Sequence, residues 1–387
     1  MKILHLADLH LGKALAEYDL IDDQAFILDQ ILALIDERNV DAVLIAGDVY
    51  DKAVPSEAAT RLLDSFLSSL ASRKVKTFMI SGNHDSDDRL NYGSRLFEKN
   101  QIYICAVFDG HLEQHIIKEE ESGTEVNICL LPFVKASQVK RFFPGAEIKT
   151  YEDAVSVILE DAKIDRGKCN IIVAHQFVAG RGEDPALGGS EGLGTQSVGT
   201  VEKIGYACFD GFAYAALGHI HSPQQVGRRE IRYAGSPLKY SLSEADNEKS
   251  FPLITAEKNG EIGIELIPAR PRRNLRHLRG GLRELLDRNN VTDPEDFIYA
   301  TLTDEEMTTD VMGIFRQVYP YTVKIDYDNS HTRAIEQVDI SRIAQNRSFE
   351  DLIADFYRQI YGCGISDEEM DLMRCVARET GVLHEAD

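Results

Sequence analysis

The chain has 387 residues, of which 43% are hydrophobic, and a formal net charge of −22 at pH 7. This length predicts two or three domains with a substantial core, which excludes global disorder. No run of about 18 apolar residues occurs, and the early polar residues exclude a signal peptide, so we expect a cytoplasmic protein. Six scattered cysteines without a Cys-x-x-Cys pair indicate reduced thiols.

The excess of acidic over basic residues argues against long-range attraction of DNA. It does not exclude an enzyme that acts on DNA, because salt screens such fields within about 8 Å at physiological ionic strength. Local patches and bound metal ions then decide phosphate binding. An acidic chain that works on DNA would benefit from a basic partner.

Strand-like and helix-like segments alternate from residue 1 to about residue 268. The predicted strands are Ile3–Ala7, Ala42–Ala46, Thr77–Ile80, Asn127–Leu131, Ile171–Ala174 and Ala213–Leu217. The predicted helices are Gln24–Arg38, Ser56–Ser72 and Glu152–Ala162. This alternation predicts an α/β domain with a buried, largely parallel sheet, whose catalytic residues follow the carboxyl ends of the strands.

Two stretches of this first domain depart from the alternation. Residues 178–200 are rich in glycine and polar residues and predict a long loop, whose segment Gly180–Gly194 either gates the site or is only flexible. After residue 221, short strands separated by turns predict an antiparallel meander. Its predicted strands are Gln224–Val226, Ile231–Ala234, Phe251–Ala256 and Ile262–Ile267.

Three further segments follow the first domain, which we place at residues 1–268. Residues 269–327 predict a small α+β unit with strands Phe297–Leu302 and Thr322–Tyr327 around the helix Thr308–Tyr319. Residues 328–347 predict a polar linker. Residues 348–387 carry two acidic helical patterns, Phe349–Tyr361 and Glu368–Arg378, which favour an interaction module.

Two basic features have open interpretations. The arginine-rich run Arg270–Arg283 either contacts phosphates or is a solvated connection with packed stems. Lys239 and Tyr240, which follow Gly235-Ser236-Pro237, either touch DNA or belong to a tight turn.

Five short polar clusters punctuate the chain, each after an apolar run. They are Asp8-Leu9-His10, Gly47-Asp48-Val49-Tyr50-Asp51, Gly82-Asn83-His84-Asp85, Ala174-His175 and Gly218-His219-Ile220-His221. Carboxylate, imidazole and amide ligands delivered from several strand ends suit a cage for two divalent metal ions. The candidate metal ligands are Asp8, His10, Asp48, Asn83, His175, His219 and His221.

The ligand types indicate the metal and the chemistry. Oxygen and imidazole ligands without thiolates favour manganese, iron or zinc. Asp48 has two carboxylate oxygens and is the natural bridge between two cations. The negative charges of two carboxylates, a hydroxide and one phosphodiester anion balance the positive charges of two divalent ions. Such a pair lowers the pKa of water from about 15.7 toward about 7 and holds phosphorus for in-line attack.

Three neighbouring residues are candidates for the catalytic machinery. His84 is the candidate for protonating the leaving oxygen or stabilising the transition state. Asp51 and Asp85 would fix His84 or a ligand histidine by hydrogen bonds. Each motif alone has a structural explanation: Asp48 could cap a helix, and His175 could be a core histidine. All five motifs in order favour the metal site.

The five motifs resemble the calcineurin-like metallophosphoesterase superfamily and, within it, the nuclease subunits of bacterial ATPase–nuclease complexes. The segments that carry the resemblance are Lys2–Gly12, Ile45–Asp51, Ser81–Ser86, Asn91–Leu96, Ala216–His221 and Tyr233–Leu238. It implies a β-sandwich flanked by helices, with a small α+β capping domain at 269–327 and C-terminal helices. It also implies two manganese ions. Asp8, His10, Asp48 and His221 match one site, and Asp48, Asn83, His175 and His219 match the other.

The resemblance further implies an activity and partners. The activity is a 3′-to-5′ exonuclease on duplex DNA and an endonuclease on hairpins or single strands, in DNA repair, recombination and replication. The partner is an ABC/SMC-type ATPase, bound through the C-terminal helices. A homodimer would form through part of Ser56–Ser72 and Gly93–Phe97, which gives a heterotetramer.

Other functions stay open at this stage. One is a stand-alone metallophosphodiesterase that acts on small phosphodiesters, and another is a non-catalytic scaffold for the ATPase. A protein phosphatase of this superfamily is disfavoured, because Lys52-Ala53 follows Asp51 where such phosphatases usually have Arg-Gly.

Overall fold

The computed structural model describes residues 1–120, 122–180, 185–187, 189, 203–330, 332–333, 349–361 and 364–379. The chain divides into two units, Met1–Arg276 and His277–Asp387. The predicted boundary at residue 268 and the further division into linker and helical module remain predictions. Most of the predicted linker and of the loop 180–194 lies outside the described residues.

The strands of the first unit, in chain order, are β1 (Lys2–Leu6), β2 (Ala14–Leu15), β3 (Tyr18–Asp19), β4 (Ala42–Ala46), β5 (Lys76–Ile80), β6 (Ile102–Cys105), β7 (Glu113–Lys118), β8 (Glu125–Leu131), β9 (Cys169–His175), β10 (Val178–Ala179), β11 (Ile204–Gly205), β12 (Tyr214–Gly218), β13 (Gln224–Val226), β14 (Arg228–Tyr233), β15 (Ser250–Ala256) and β16 (Ile262–Pro268). Its helices are α1 (Ile21–Arg38), α2 (Glu57–Ser72), α3 (Asp87–Leu90), α4 (Ser94–Phe97), α5 (Ala136–Val139) and α6 (Tyr151–Asp161).

Two six-stranded sheets form the centre of the first unit. Their strand orders are β16-β15-β1-β4-β5-β6 and β13-β14-β12-β9-β8-β7. One apolar core combines side chains of both sheets, such as Leu44 and Phe78 from the first sheet with Ile128 and Val173 from the second. The two sheets therefore pack face to face as a sandwich.

Helices cover the outer faces of the sandwich. Because successive strand residues point to opposite faces, Ile172 of β9 and Ala215 of β12 pack outward against Ile158 of α6. Helix α2 begins after Ser56, whose hydroxyl accepts the backbone N–H of Ala59 at 3.2 Å, and it contacts both α1 and β5. This arrangement confirms the predicted α/β sandwich flanked by helices.

The predicted antiparallel meander is wrong. Strands β13 and β14 form a hairpin in the second sheet, where β14 pairs in parallel with β12. Strands β15 and β16 form a separate hairpin in the first sheet, where β15 pairs antiparallel with β1. Local strand and turn patterns reveal hairpins, but they carry no signal for the crossing of residues 234–249 from one sheet to the other. Strands β6 and β7 were not predicted.

The second unit contains a three-stranded sheet. Strands β17 (Leu275–Gly280), β18 (Phe297–Leu302) and β19 (Thr322–Tyr327) lie in the order β17-β18-β19, with β18 and β19 parallel. Helices α7 (Leu282–Leu285) and α8 (Val311–Arg316) accompany it. The core of this sheet includes Ile298, Ala300 and Phe315. The predicted helix 308–319 is shorter than expected, because Asp310 caps α8 by accepting the N–H of Gly313 at 3.2 Å.

Two helices complete the described chain, α9 (Phe349–Tyr361) and α10 (Asp367–Glu379), at the positions predicted for the C-terminal module. They expose apolar side chains, among them Phe356 and Leu372. No described helix combines the length and apolar character needed to cross a membrane. The described cysteines, Cys105, Cys129, Cys169, Cys208 and Cys375, are free thiols.

Candidate metal centre

The five polar motifs follow the carboxyl ends of five strands at one end of the sandwich. In the first sheet, β1, β4 and β5 run in parallel, so that Ala46 pairs with Ile80 just before the second and third motifs. In the second sheet, Gly218 pairs with His175, so β9 and β12 also end together. The parallel register therefore brings the five motifs to one place.

The backbone of this site is held in an uncommon conformation. Asp8, His10, Asp48 and His219 have φ angles of 52°, 43°, 48° and 98°. Left-handed conformations are uncommon for residues other than glycine and cluster at functional sites. Hydrogen bonds between the first two motifs stabilise the turn, with Asp8 N donating to Gly47 O (3.1 Å) and His10 N to Asp48 O (2.9 Å).

Two glycines leave space that the ligand histidines need. Gly47 has a φ of 80°, and a Cβ atom there would lie 2.4 Å from Nδ1 of His175. A Cβ atom on Gly218 would lie 1.8 Å from the carbonyl oxygen of Ala46. No side chain fits at these distances, so the close approach of the two sheets requires glycine at both positions.

Both candidate carboxylates have one oxygen fixed by a backbone amide of another motif. Asp8 Oδ1 accepts the N–H of His219, and Asp48 Oδ1 accepts the N–H of His84, each at 2.9 Å. Asp8 Oδ2 is buried and has no hydrogen-bond partner within the described residues. Asp48 Oδ2 lies 3.5 Å from His10 Nε2 and 3.4 Å from His175 Nε2. Asp48 thus occupies a bridging position between two groups of donors.

The first group consists of Asp8, His10 and His221. One ligand atom from each of these buried side chains lies within 4.8 Å of the others. The Nε2 atoms of His10 and His221 approach to 3.0 Å, so both imidazoles point at the same place. This is the arrangement that a shared cation produces.

The second group consists of Asn83, His175 and His219, beside Asp48. Asn83 Oδ1 lies 2.9 Å from His219 Nδ1 and 3.1 Å from His175 Nε2. His175 Nδ1 lies 2.8 Å from the carbonyl oxygen of Ala46, which can only accept, so Nδ1 carries the proton. When His175 is neutral, its Nε2 lone pair is directed at Asn83 and Asp48, as metal ligation requires.

The electrostatics of these side chains fit a cation. Burial raises the pKa of Asp8 to about 7, although the charges of His175 and His221 oppose the shift. Burial would also raise the pKa of Asp48, but the neighbouring His175 holds it well below its usual range. Burial lowers the pKa of His219 to about 3. Burial would lower the pKa of His175, but the neighbouring Asp48 raises it to about 9. The two buried carboxylates therefore favour positive charge beside them, and divalent ions can supply that charge.

The three candidate catalytic residues lie beside the donor groups. His84 Nδ1 lies 3.1 Å from the carbonyl oxygen of Asp51, so this nitrogen carries the proton and Nε2 is left for a substrate. The His84 ring lies edge-on to that of His10, with centroids 4.9 Å apart. Asp51 Oδ1 is 3.6 Å from His10 Nδ1 and 2.8 Å from the ammonium group of Lys13.

The Asp85 carboxylate accepts hydrogen bonds from backbone amides, whereas the sequence predicted a hydrogen bond to a histidine. Its carboxylate accepts the N–H groups of Val49 (3.1 Å), Tyr50 (2.9 Å) and Gly82 (2.9 Å). These amides belong to the loops after β4 and β5, which carry Asp48 and Asn83. Asp85 therefore joins the second motif to the third.

Sequence reasoning missed a set of buried polar residues that support the site. Gln24 donates to the carbonyl oxygen of His10 at 2.7 Å, and Tyr240 donates to that of Leu9 at 2.6 Å. Tyr240 is buried, which contradicts the contact with DNA considered above. Glu244 and Lys249 lie behind His221. The segment Gly235-Ser236-Pro237 was the only local signal that pointed to this region.

Known proteins resemble this chain in sequence over most of its length. Residues 1–223 match the calcineurin-like phosphoesterase family, and residues 271–361 match a family described as the type 5 capsule protein repressor C-terminal domain. The SbcD subunit of the nuclease SbcCD from Staphylococcus epidermidis is 32% identical over 381 residues, which cover 97% of each chain. A dimetal phosphatase from Danio rerio is 10% identical over 70% of this chain and 99% of the other, with a TM-score of 0.37, which is too low to establish a shared fold.

Proposed function

Because the chain belongs to the calcineurin-like phosphoesterase family, and within it to the group of the SbcD nuclease subunits, we propose that it is the manganese-dependent nuclease subunit of a DNA end-processing complex. The family predicted from the five motifs is thereby confirmed, and the chain is a hydrolase of phosphate esters. The proposed activities are 3′-to-5′ exonuclease on duplex DNA and endonuclease on single strands and hairpins. The observation that carries the proposal is the convergence of seven candidate ligands at one end of the sandwich.

The donor set supports the assignment of two metal sites. Asp8, His10, His221 and Asp48 would hold one divalent ion, and Asp48, Asn83, His175 and His219 would hold the other. When bound, the two ions supply Lewis-acid charge for the phosphate oxygens and lower the pKa of water. Imidazole and oxygen donors without sulfur favour manganese, iron or zinc over soft metals, and we propose manganese.

His84 would act on the leaving group. Its Nδ1 proton is held by the carbonyl oxygen of Asp51, which fixes the orientation of the ring and leaves Nε2 available. When the ring is protonated, Nε2 can donate a proton to the leaving oxygen and stabilise negative charge on the phosphate. Lys13 pairs with the carboxylate of Asp51 and so balances the negative charge beside His84.

A second, SbcC-like protein of the ABC/SMC ATPase type would be the partner. Helices α9 and α10 expose the apolar side chains Phe356, Tyr361, Leu372, Met373 and Val376, which supports a docking role. Leu96, also exposed, belongs to the segment Gly93–Phe97 expected to form a homodimer surface, and the exposed Tyr92 lies directly before that segment. The cytoplasmic location stays a prediction from the reduced cysteines.

The decisive experiment is cleavage by the His84→Ala variant. With Mn²⁺ and linear duplex DNA, we expect cleavage to fall by about 10²–10⁴-fold, because a proton donor or charge stabiliser is lost. Binding of two metal ions and of DNA should persist. His111, an exposed histidine outside the motifs, is the matched control, and His111→Ala should cleave normally.

Two outcomes would contradict the proposal. Unchanged cleavage by His84→Ala would remove His84 from the reaction and favour a contaminating nuclease. Hydrolysis of a cyclic nucleotide by the unsubstituted protein, without cleavage of DNA, would favour the alternative of a stand-alone phosphodiesterase.

A further inference from the structure

A buried ion pair lies behind His221 and has no part in the chemistry described above. Glu244 is 0% exposed and Lys249 is 7% exposed. The ammonium group of Lys249 is bonded to the carboxylate of Glu244, and it also donates to the carbonyl oxygen of His221 (2.7 Å) and to Ser236 Oγ (2.8 Å). The pair therefore contacts both the backbone of the fifth motif and the segment that follows it.

The carboxylate of Glu244 faces the imidazole of His221. Glu244 Oε1 lies 3.6 Å from His221 Nδ1 and accepts the N–H of Tyr240 at 3.3 Å. Lys249 is bonded to the same carboxylate and supplies the positive charge that balances it in the interior. A charged acceptor at this place favours the tautomer of His221 that carries its proton on Nδ1.

Stability alone does not explain a buried pair at this position. The cost of desolvating two charges offsets much of their attraction. A protein with well-packed apolar residues in place of a buried ion pair is often as stable. His175 of the second donor group shows how a fixed proton on one ring nitrogen orients the other nitrogen, which is the effect that Glu244 and Lys249 could have on His221. His175 has its Nδ1 proton fixed by the carbonyl oxygen of Ala46, which leaves Nε2 for a cation. Within the first group, Nε2 of His221 likewise faces His10, at 3.0 Å.

We infer that Glu244 is a positioning residue that holds the Nδ1 proton of His221, with Lys249 as its counter-ion, so that the Nε2 lone pair of His221 is preset for the first metal ion. This inference rests on the proposed function, because it assigns His221 to a metal site. Loss of the Glu244 carboxylate should weaken the first metal site and leave the second unchanged.

Metal titration of substituted proteins tests the inference. In Glu244→Leu the acceptor is lost, and we expect one of two Mn²⁺ ions to bind about 10–100-fold more weakly in calorimetry. Glu244→Gln retains an acceptor oxygen and should restore most of the affinity. Asp23, 1% exposed and paired with Arg273, touches no candidate ligand, so Asp23→Leu is the control for the loss of a buried ion pair. It should lower the melting temperature without changing either Mn²⁺ affinity.

A second measurement needs no substitution at the pair and covers the case in which Glu244→Leu does not fold. In the metal-free protein with ¹⁵N-labelled histidine, the resonances of His221 should show a proton on Nδ1 and a free lone pair on Nε2 at pH 8. The His221→Asn variant assigns these resonances by their loss.

The outcomes separate this inference from the proposed function. A Glu244→Leu variant that binds both ions as tightly as the unsubstituted protein would refute the positioning role, and so would a proton on Nε2 of His221. If the unsubstituted protein binds two ions but cleaves no DNA, the proposed function fails while the positioning role stands.

Discussion

Replacing Asp85 tests how the second and third motifs are held together. The Asp85 carboxylate is 8% exposed and accepts three backbone N–H groups, those of Val49, Tyr50 and Gly82. Asp85→Ala leaves all three amides in the interior without this acceptor. Each unsatisfied buried group costs about 1–3 kcal/mol, so for three amides we expect the free energy of unfolding to fall by about 3 kcal/mol or more.

Asp85→Asn should be milder, and it keeps the test informative if the alanine variant does not fold. Its amide oxygen can still accept from Val49 and Gly82, which share Oδ2 in the native protein. Its NH₂ group would then face the N–H of Tyr50, which loses its acceptor. One lost hydrogen bond to a charged group costs about 1.5–3 kcal/mol.

Urea unfolding followed by tyrosine fluorescence measures these differences, because the chain has 15 tyrosines and no tryptophan. Hydrogen exchange adds a local readout, since peptides that contain residues 49, 50 and 82 should exchange faster in both variants. Asp153 is the matched control, because its carboxylate also accepts two backbone N–H groups at 2.9 Å but at an exposed helix start. Asp153→Ala should cost about 1 kcal/mol, with no change in exchange near the site.

Unfolding of Asp85→Ala at the same urea concentration as Asp153→Ala would contradict this role of Asp85. Unchanged hydrogen exchange at residues 49, 50 and 82 would contradict it as well. In either case the three short distances would not report hydrogen bonds that stabilise the loops. The Mn²⁺ stoichiometry of Asp85→Asn then shows whether the site needs the two loops joined, since we expect two ions bound with reduced affinity.

Three further predictions concern the metal site and the negative charge of the chain. Gly218→Ala should lower the melting temperature and reduce Mn²⁺ affinity, because the new Cβ atom would lie 1.8 Å from the Ala46 carbonyl oxygen. Overpacking of this kind costs about 1–3 kcal/mol or more, and an unchanged melting curve would contradict the prediction. Removal of metal by a chelator should lower the melting temperature. Mn²⁺ at about 100 times its dissociation constant should raise the free energy of unfolding by about 2.7 kcal/mol per site. No shift in melting temperature would argue against metal binding by the folded chain. With a net charge of −22, the isolated chain should bind duplex DNA weakly and with a steep salt dependence. Tight binding that is insensitive to salt would show that no basic partner is needed.

The strands that carry the site were predicted to within two residues at their ends, because they are buried on both faces. Such strands appear in the sequence as continuous apolar runs, as in Ala42–Ala46, where every residue is buried. Strand β6 (Ile102–Cys105) carries this signal and was nevertheless missed, whereas two other unpredicted strands lack it. Strand β7 (Glu113–Lys118) is a largely polar strand at a sheet edge, and β17 (Leu275–Gly280) lies inside the arginine-rich run. Edge strands are defined by their pairing, which local composition does not encode.

The supporting residues could not be predicted for a related reason. Glu244 and Lys249 follow His221 by more than 20 positions in a polar stretch, and only the crossing of the chain between the two sheets brings them behind its imidazole. Asp85 was predicted as a supporting residue from its place in the third motif, but the predicted partner was a histidine. A carboxylate can accept from an imidazole or from backbone amides, and the fold decides which donor lies nearer.

The motifs depend on one another, which explains why their occurrence together is more informative than any one of them. Asp8 of the first motif is fixed by the N–H of His219 in the fifth. Asp48 of the second is fixed by the N–H of His84 in the third. His175 of the fourth donates to Ala46, just before the second. Because these three ligands are oriented by backbone groups in or beside another motif, a single motif placed in another fold would present the same residue types without the geometry that holds a metal ion.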